Sequence, residues 1–176
     1  EGLEIAAVRR FPTGTAYRST AKSGEVFGRY RLLAQKHGWT PAPEDCMVLC
    51  PVYVAETNEL ARREAEPHLT YFWQWLLSYH KGSMKILGQP PPPPPARVTA
   101  AEDLPFYEFD FDLCQREGVS FIGDPDSVTR EIQRRMGEMG AGVLMGLFQF
   151  GSLPHELAQK NIRFFAEKVL PALRGR

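Results

Sequence analysis

The residues whose chemistry would declare itself first are sparse. His37, His68, His80 and His155 fall into no His-x3-His pair, and the chain contains no Cys-x-x-Cys and no Gly-x-Ser-x-Gly. Neither a metal centre nor an activated nucleophile is spelled out. Cys46 and Cys50, four apart in an apolar run, fall on one side of a strand but too far apart to bond. With Cys114 they read as small buried apolar groups of a protein kept in a reducing compartment. Gly123, Asp124 and Pro125 open a helical pattern whose start could receive an anion, and Asp124 equally serves as a plain helix cap. Tyr17 closes a short extended stretch, where an aromatic side chain can face a ligand or simply pack. Trp73 and Trp75 read as cover for a core.

These groups need elements to hold them. Leu3, Ala6 and Ala7 have helical spacing, so the chain is expected to start inside or at the head of a helix, as a fragment would. Residues 11 to 17 (FPTGTAY) form a short candidate strand. Val26, Tyr30, Leu33 and Ala34 then mark an amphipathic helix from about Ala21 to His37, stopped by Gly38. The run CMVLCPVYVA has the near-continuous apolar character of a strand covered on both faces, with Pro51 as an irregularity. Thr57 or Asn58 can cap the following helix, which Pro67 should break or bend before Phe72, Trp75, Leu76 and Tyr79 resume the stripe.

Residues 81 to 118 interrupt this alternation. Pro90 to Pro95 are six consecutive prolines, suited to an extended polyproline II rod that is either a ligand for a proline-reading module or a stiff surface excursion. The stretch DLPFYEFDFDLC, alternating aromatic and acidic residues, reads as a short strand or as a lid. After it the order is clearer. VSFIG is a strand, and Val128, Ile132, Met136 and Met139 stripe a helix capped by Asp124 and stopped by Gly140. GVLMGLFQF is a strand apolar on both faces, and Ala158, Ile162, Phe165, Ala166 and Val169 stripe a last helix that starts near Ser152 and ends at Pro171. Strands alternating with helices over short loops predict parallel βαβ units in one α/β domain.

Lys and Arg number 21 against 21 Asp and Glu in 176 residues, so charge makes no case for nucleic acid or an anionic membrane. No apolar run is long enough to span a bilayer, and the acidic residues at positions 1 and 4 break any signal-peptide pattern; a cytoplasmic protein is the expectation.

IGDPDSV, a helix, GAGVLMGLFQFG and then FFAEKVLPAL resemble the C-terminus of the bacterial luciferase-like family of flavin-dependent monooxygenases and oxidoreductases. EGLEIAAVRRFP, VFGRYRLLAQKHGW and VYVAETNELARREAEPHL resemble successive upstream segments of the same family, in order. The resemblance implies a TIM-type (β/α)8 barrel, of which residues 1–176 would supply strands five to eight with their helices, a half-barrel carrying a proline-rich insertion at about 81–118. A full barrel needs about 250 residues. Implied with it are FMN, or a deazaflavin in relatives that transfer hydride, and a small organic substrate oxidised with reduced flavin and oxygen. Glu1 and Gly2, at the start of the first helix, would lie by the flavin phosphate. Gly2 stands where many relatives carry a Thr, so only a backbone contact would remain. Thr15, Tyr17 and Gly123 fall at strand ends facing the cofactor, with Tyr17 towards the flavin ring. The family's acid or base histidine belongs to the other half and has no match here. A flavin reductase as partner, and a homo-oligomer or a longer chain covering the open sheet, complete the expectation. The alternative is a non-catalytic flavin-binding or interaction subunit.

Overall fold

The computed structural model describes residues 2–86 and 110–174, the side chains of 77–86 excepted. Glu1, Pro90 to Pro95 and the beginning of the DLPFYEFDFDLC stretch lie outside the described residues. The elements run α1 (Gly2–Arg9), β1 (Thr13–Ala16), α2 (Thr20–Lys36), β2 (Cys46–Val54), α3 (Asn58–Ile86), α4 (Phe111–Glu117), β3 (Phe121–Gly123), α5 (Pro125–Met139), β4 (Val143–Leu147), α6 (His155–Phe164), a π-helical stretch (Phe165–Val169) and α7 (Leu170–Arg174). Among the described residues no helix is long and apolar enough to cross a membrane.

All four strands are parallel, and β2 is the hub, pairing with β1, β3 and β4. The backbone hydrogen bonds show how one strand serves three neighbours. Leu49 C=O accepts from Tyr17 N–H at 3.0 Å, and Gly123 C=O accepts from Ala55 N–H at 3.2 Å. Leu49 and Ala55 are an even number of residues apart, so β1 and β3 use the same edge of β2, one beyond the other. Pro51 sits between them, where no neighbour asks for the N–H it lacks. The opposite edge carries β4 from Met47 to Pro51.

This order decides where the helices go. From β1 to β2 and from β3 to β4 the chain steps one way; from β2 to β3 it steps back. Right-handed connections therefore put α3 and α4 on the face opposite α2 and α5. The cores agree. Cys46, Val48, Cys50, Val52 and Val54 pack with Phe27, Tyr30 and Ala34 of α2 and with Val128, Ile132 and Met139 of α5. Tyr53 and Ala55 pack with Ala61, Ala65, Leu69 and Trp73 of α3 and Phe111, Leu113 and Cys114 of α4. In a barrel every step goes the same way and the helices share the outer face. The described strands depart from that order because β3, only three residues long, pairs solely with the last part of β2.

Other departures are local. Pro67 lies inside an unbroken α3, where the Thr70 hydroxyl donates to Glu66 C=O at 2.7 Å. Residues 81 to 118 are not uniformly irregular, since α3 runs on to Ile86 and FDLC opens α4. Pro171 does not end the last helix, which continues to Arg174 after the π-helical stretch. Along these last helices Ala158 and Val169 are buried and Phe165 half-buried as expected, whereas Ile162 and Ala166 face solvent and Asn161 is buried. Trp73 is fully buried as expected, whereas Trp75 is 58% exposed. Asp124 caps α5 through Ser127 N–H at 2.7 Å, and Gly140 ends it at φ 65° with its carbonyl taken by the Arg31 guanidinium.

Candidate functional site at the strand ends

Ligands of open α/β sheets bind beyond the C-terminal ends of the strands, and here those ends carry Tyr17, Glu56, Asp124 and Phe148. Tyr17 is the most constrained of them. Its backbone adopts φ 57°, in the left-handed region that costs a non-glycine residue about 1 kcal/mol or more. The turn is held by the Tyr17 N–H to Leu49 bond and by ring contacts from α3, Phe72 at 5.5 Å and Trp73 at 5.8 Å. Burial, helped by nearby Cys50, pushes the Tyr17 phenol above its ordinary value. The half-buried ring is thus aimed by a strained backbone, and strain of this kind gathers at functional sites.

α3 lies across the same end of the sheet. His68 Nδ1 is 2.9 Å from Ser152 Oγ, in the turn after β4, and Phe72 reaches Tyr17 after β1. Gly151 allows the crossing: it has φ 54°, and a Cβ there would strike His68 C=O.

Beside β2 a charged cluster joins α3 to α6. Lys160 Nζ lies 3.0 Å from Glu56 and 3.1 Å from Glu64, and the buried Tyr53 hydroxyl donates to Glu64 at 2.9 Å. Burial of Lys160 favours the neutral amine, but the bonds to Glu56 and Glu64 hold its value up, and the bond from Lys160 holds Glu56 down. Burial, then the bond to Glu64, raises Tyr53. The cluster can hold a proton on Lys160 and on Tyr53 while keeping the Glu56 carboxylate charged. The next residue after Lys160, Asn161, is fully buried. Its Oδ1 accepts from Val54 N–H at 2.9 Å, and its Nδ2 donates to Val52 C=O at 2.7 Å and Phe148 C=O at 3.2 Å.

The residues singled out from sequence divide. Tyr17 is at the strand ends as expected. Gly2, exposed at the head of α1, lies at the same end of the sheet, because a helix feeding a parallel strand runs back along it. Thr15 is buried on the α2 face with its hydroxyl 2.9 Å from Ser23, away from Tyr17. Gly123 is buried, and a Cβ there would meet Asn58 Oδ1 at 2.6 Å, which already accepts the Asp124 N–H. The neighbouring cleft is lined by four carboxylates, Glu56, Glu59, Asp124 and Asp126, against one cation, Lys168, a balance that disfavours a phosphate. All three cysteines are buried and free. Sequence reasoning missed Asn161, Lys160 and Glu64. Asn161 was legible in principle, three residues after Ala158 and eight before Val169 on the buried stripe.

No family model and no curated sequence matches the chain. Solved structures do. The monooxygenase RslO1 from Streptomyces bottropensis is similar at TM-score 0.66 and 21% identity over 96% of this chain and 44% of its own. The oxygenating constituent of 3,6-diketocamphane monooxygenase from the CAM plasmid of Pseudomonas putida, a type II Baeyer-Villiger monooxygenase solved with FMN, gives 0.66 and 17% over 96% and 45%. DmoA from Hyphomicrobium sulfonivorans gives 0.60 and 16% over 99% and 39%. The chain shares the fold of these proteins along nearly its whole length, and it spans less than half of theirs.

Proposed function

We propose that this chain is the C-terminal part of a flavin-dependent monooxygenase of the luciferase-like kind, with FMN at the strand ends and a small organic substrate. The observation that carries the reading is Tyr17, an aromatic ring held by a left-handed backbone at the end of β1, in a fold shared with monooxygenases of which one binds FMN. The residues fit the flavin in part. Tyr17 offers a face to a planar ring, and the first turn of α1 at Gly2 is open to an anion, with nothing within 4 Å of a Cβ there. Bound flavin supplies the redox chemistry. This chain orients the ring through Tyr17, excludes water with Phe72 and Trp73, and holds the strand ends in place through Asn161.

The alternative reading is a flavin-binding subunit without turnover. Oxygen consumption with chemically reduced FMN and candidate ketones separates the two. Substrate-dependent incorporation of molecular oxygen supports the monooxygenase; tight FMN binding with only uncoupled flavin reoxidation supports the subunit. Absence of FMN binding removes both.

A further inference from the structure

We propose that His68 borders the ligand site at Tyr17 and hydrogen-bonds the bound molecule through Nε2, so that binding there is linked to the protonation of this imidazole. The inference rests on the flavin reading. Glu64, His68 and Phe72 are spaced four residues apart on α3 and form one row along it. Each reaches a strand end: Glu64 meets Tyr53 of β2 and Lys160 of α6, His68 meets Ser152 after β4, and Phe72 meets Tyr17 after β1. His68 and Phe72 are one turn apart, about 6 Å along the helix. A three-ring flavin is longer than that turn, so a ring laid on Tyr17 and directed along α3 brings a polar edge to the imidazole.

The partner on Nδ1 decides what Nε2 can do. A carboxylate there would keep the proton on Nδ1 and leave the neutral ring only an acceptor at Nε2. The Ser152 hydroxyl, 2.9 Å away, can turn to donate or to accept, so the neutral ring can present Nε2 in either role and the charged ring adds a positive charge. Half-buried His68 makes no other bond among the described residues, which leaves Nε2 for a ligand. The titratable groups around it are Glu64, Lys160 and Tyr53 in the cluster, Glu56 beyond them, His155 in the first turn of α6, and Tyr17. Tyr17, Tyr53 and Lys160 are raised from their ordinary values and Glu56 is lowered, so none of these four titrates near neutral pH.

The test is FMN binding to the purified chain, followed by flavin fluorescence from about pH 5.5 to 8.5, the range in which imidazoles titrate. A protonated imidazole attracts the anionic FMN, so wild-type affinity should tighten as pH falls, by about tenfold relative to His68→Gln, in which the flavin phosphate still titrates. His155→Gln should follow the wild type, and far-ultraviolet circular dichroism confirms that each variant is folded. A second measurement needs no variant. Bound FMN should slow carbethoxylation of His68 by diethyl pyrocarbonate about tenfold or more, read by peptide mass, while exposed His37 at the other end of α2 reacts as before. Saturable binding with the same pH profile in wild type and His68→Gln, a profile that flattens in His155→Gln instead, or FMN binding without protection of His68 overturns this inference and leaves the flavin reading standing. No FMN binding by the folded wild-type chain overturns both.

Discussion

The side-chain amide of Asn161 stands beside Val54 where a neighbouring strand would otherwise run. It accepts the Val54 N–H at 2.9 Å and donates to Val52 C=O at 2.7 Å, continuing the edge that β4 leaves at Leu147. Because Nδ2 also reaches Phe148 C=O, one buried residue fixes the ends of two strands. Replacing Asn161 with Leu leaves these backbone groups buried without partners, at about 1 to 3 kcal/mol for each that water cannot reach. Asn161→Leu should therefore lower stability by several kcal/mol, read as a shift in the urea midpoint at unchanged slope. Asn161→Asp keeps the acceptor but sets a carboxylate against two carbonyls, and should be destabilised as well, less so at low pH.

Tyr17 offers a sharper test of its backbone. Glycine adopts φ 57° freely and alanine does not, while both remove the ring. Tyr17→Gly should be more stable than Tyr17→Ala by about 1 kcal/mol, the reverse of the order found in an ordinary extended position. Equal stabilities would mean that the residue is not left-handed in solution.

Arg135 ties three elements together. Its buried guanidinium donates to Glu131, to Thr20 Oγ1 and to the Gln115 and Arg116 carbonyls at the end of α4. Arg135→Met keeps the aliphatic stem and should lower the melting temperature by several degrees, the effect of about 1 to 3 kcal/mol in a chain of this size. Hydrogen exchange should rise at the last turn of α4 before it rises in β2.

Alkali should unfold the protein. Burial pushes the Cys50 and Cys114 thiols up to about 12, and it also raises Tyr17 and Tyr53. In the unfolded chain these groups ionise near ordinary values, about 8.5 for Cys and 10 for Tyr. The stability they contribute is complete below the unfolded values and is lost as pH rises towards the folded ones. A urea series from pH 8 to 11 should show a falling midpoint, and the cysteines should react with a disulfide reagent only as the chain opens. Rapid modification of Cys50 in the folded protein at pH 8 would contradict its burial.

The parts of the fold that could be read in advance were those set by local chemistry. The cap and stop of α5, Asp124 and Gly140, follow from neighbours in the chain, and so does the apolar run of β2. The pairing of β3 does not. Whether a three-residue strand lies beyond β1 or between β2 and β4 depends on contacts between segments far apart in sequence, and the pattern VSFIG is the same in either case. Pro67 does not break α3 for a related reason: its local cost in a helix is fixed, but the packing of Leu69 and Trp73 beyond it is tertiary. At the site, Tyr17 was visible as an aromatic at a strand end. Its φ, its contact with Phe72 and the Lys160–Glu64–Tyr53 cluster arise only when α3 and α6 are brought to the strand ends.

The most direct measurement is a titration of FMN with the purified chain, followed by flavin fluorescence, beside the same titration with Tyr17→Ala. The account predicts saturable quenching at one FMN per chain, weakened about tenfold or more by Tyr17→Ala, since ring stacking is worth about 1 kcal/mol or more. No quenching by the folded wild-type chain, or equal affinity in the variant, would contradict a flavin site at this end of the sheet.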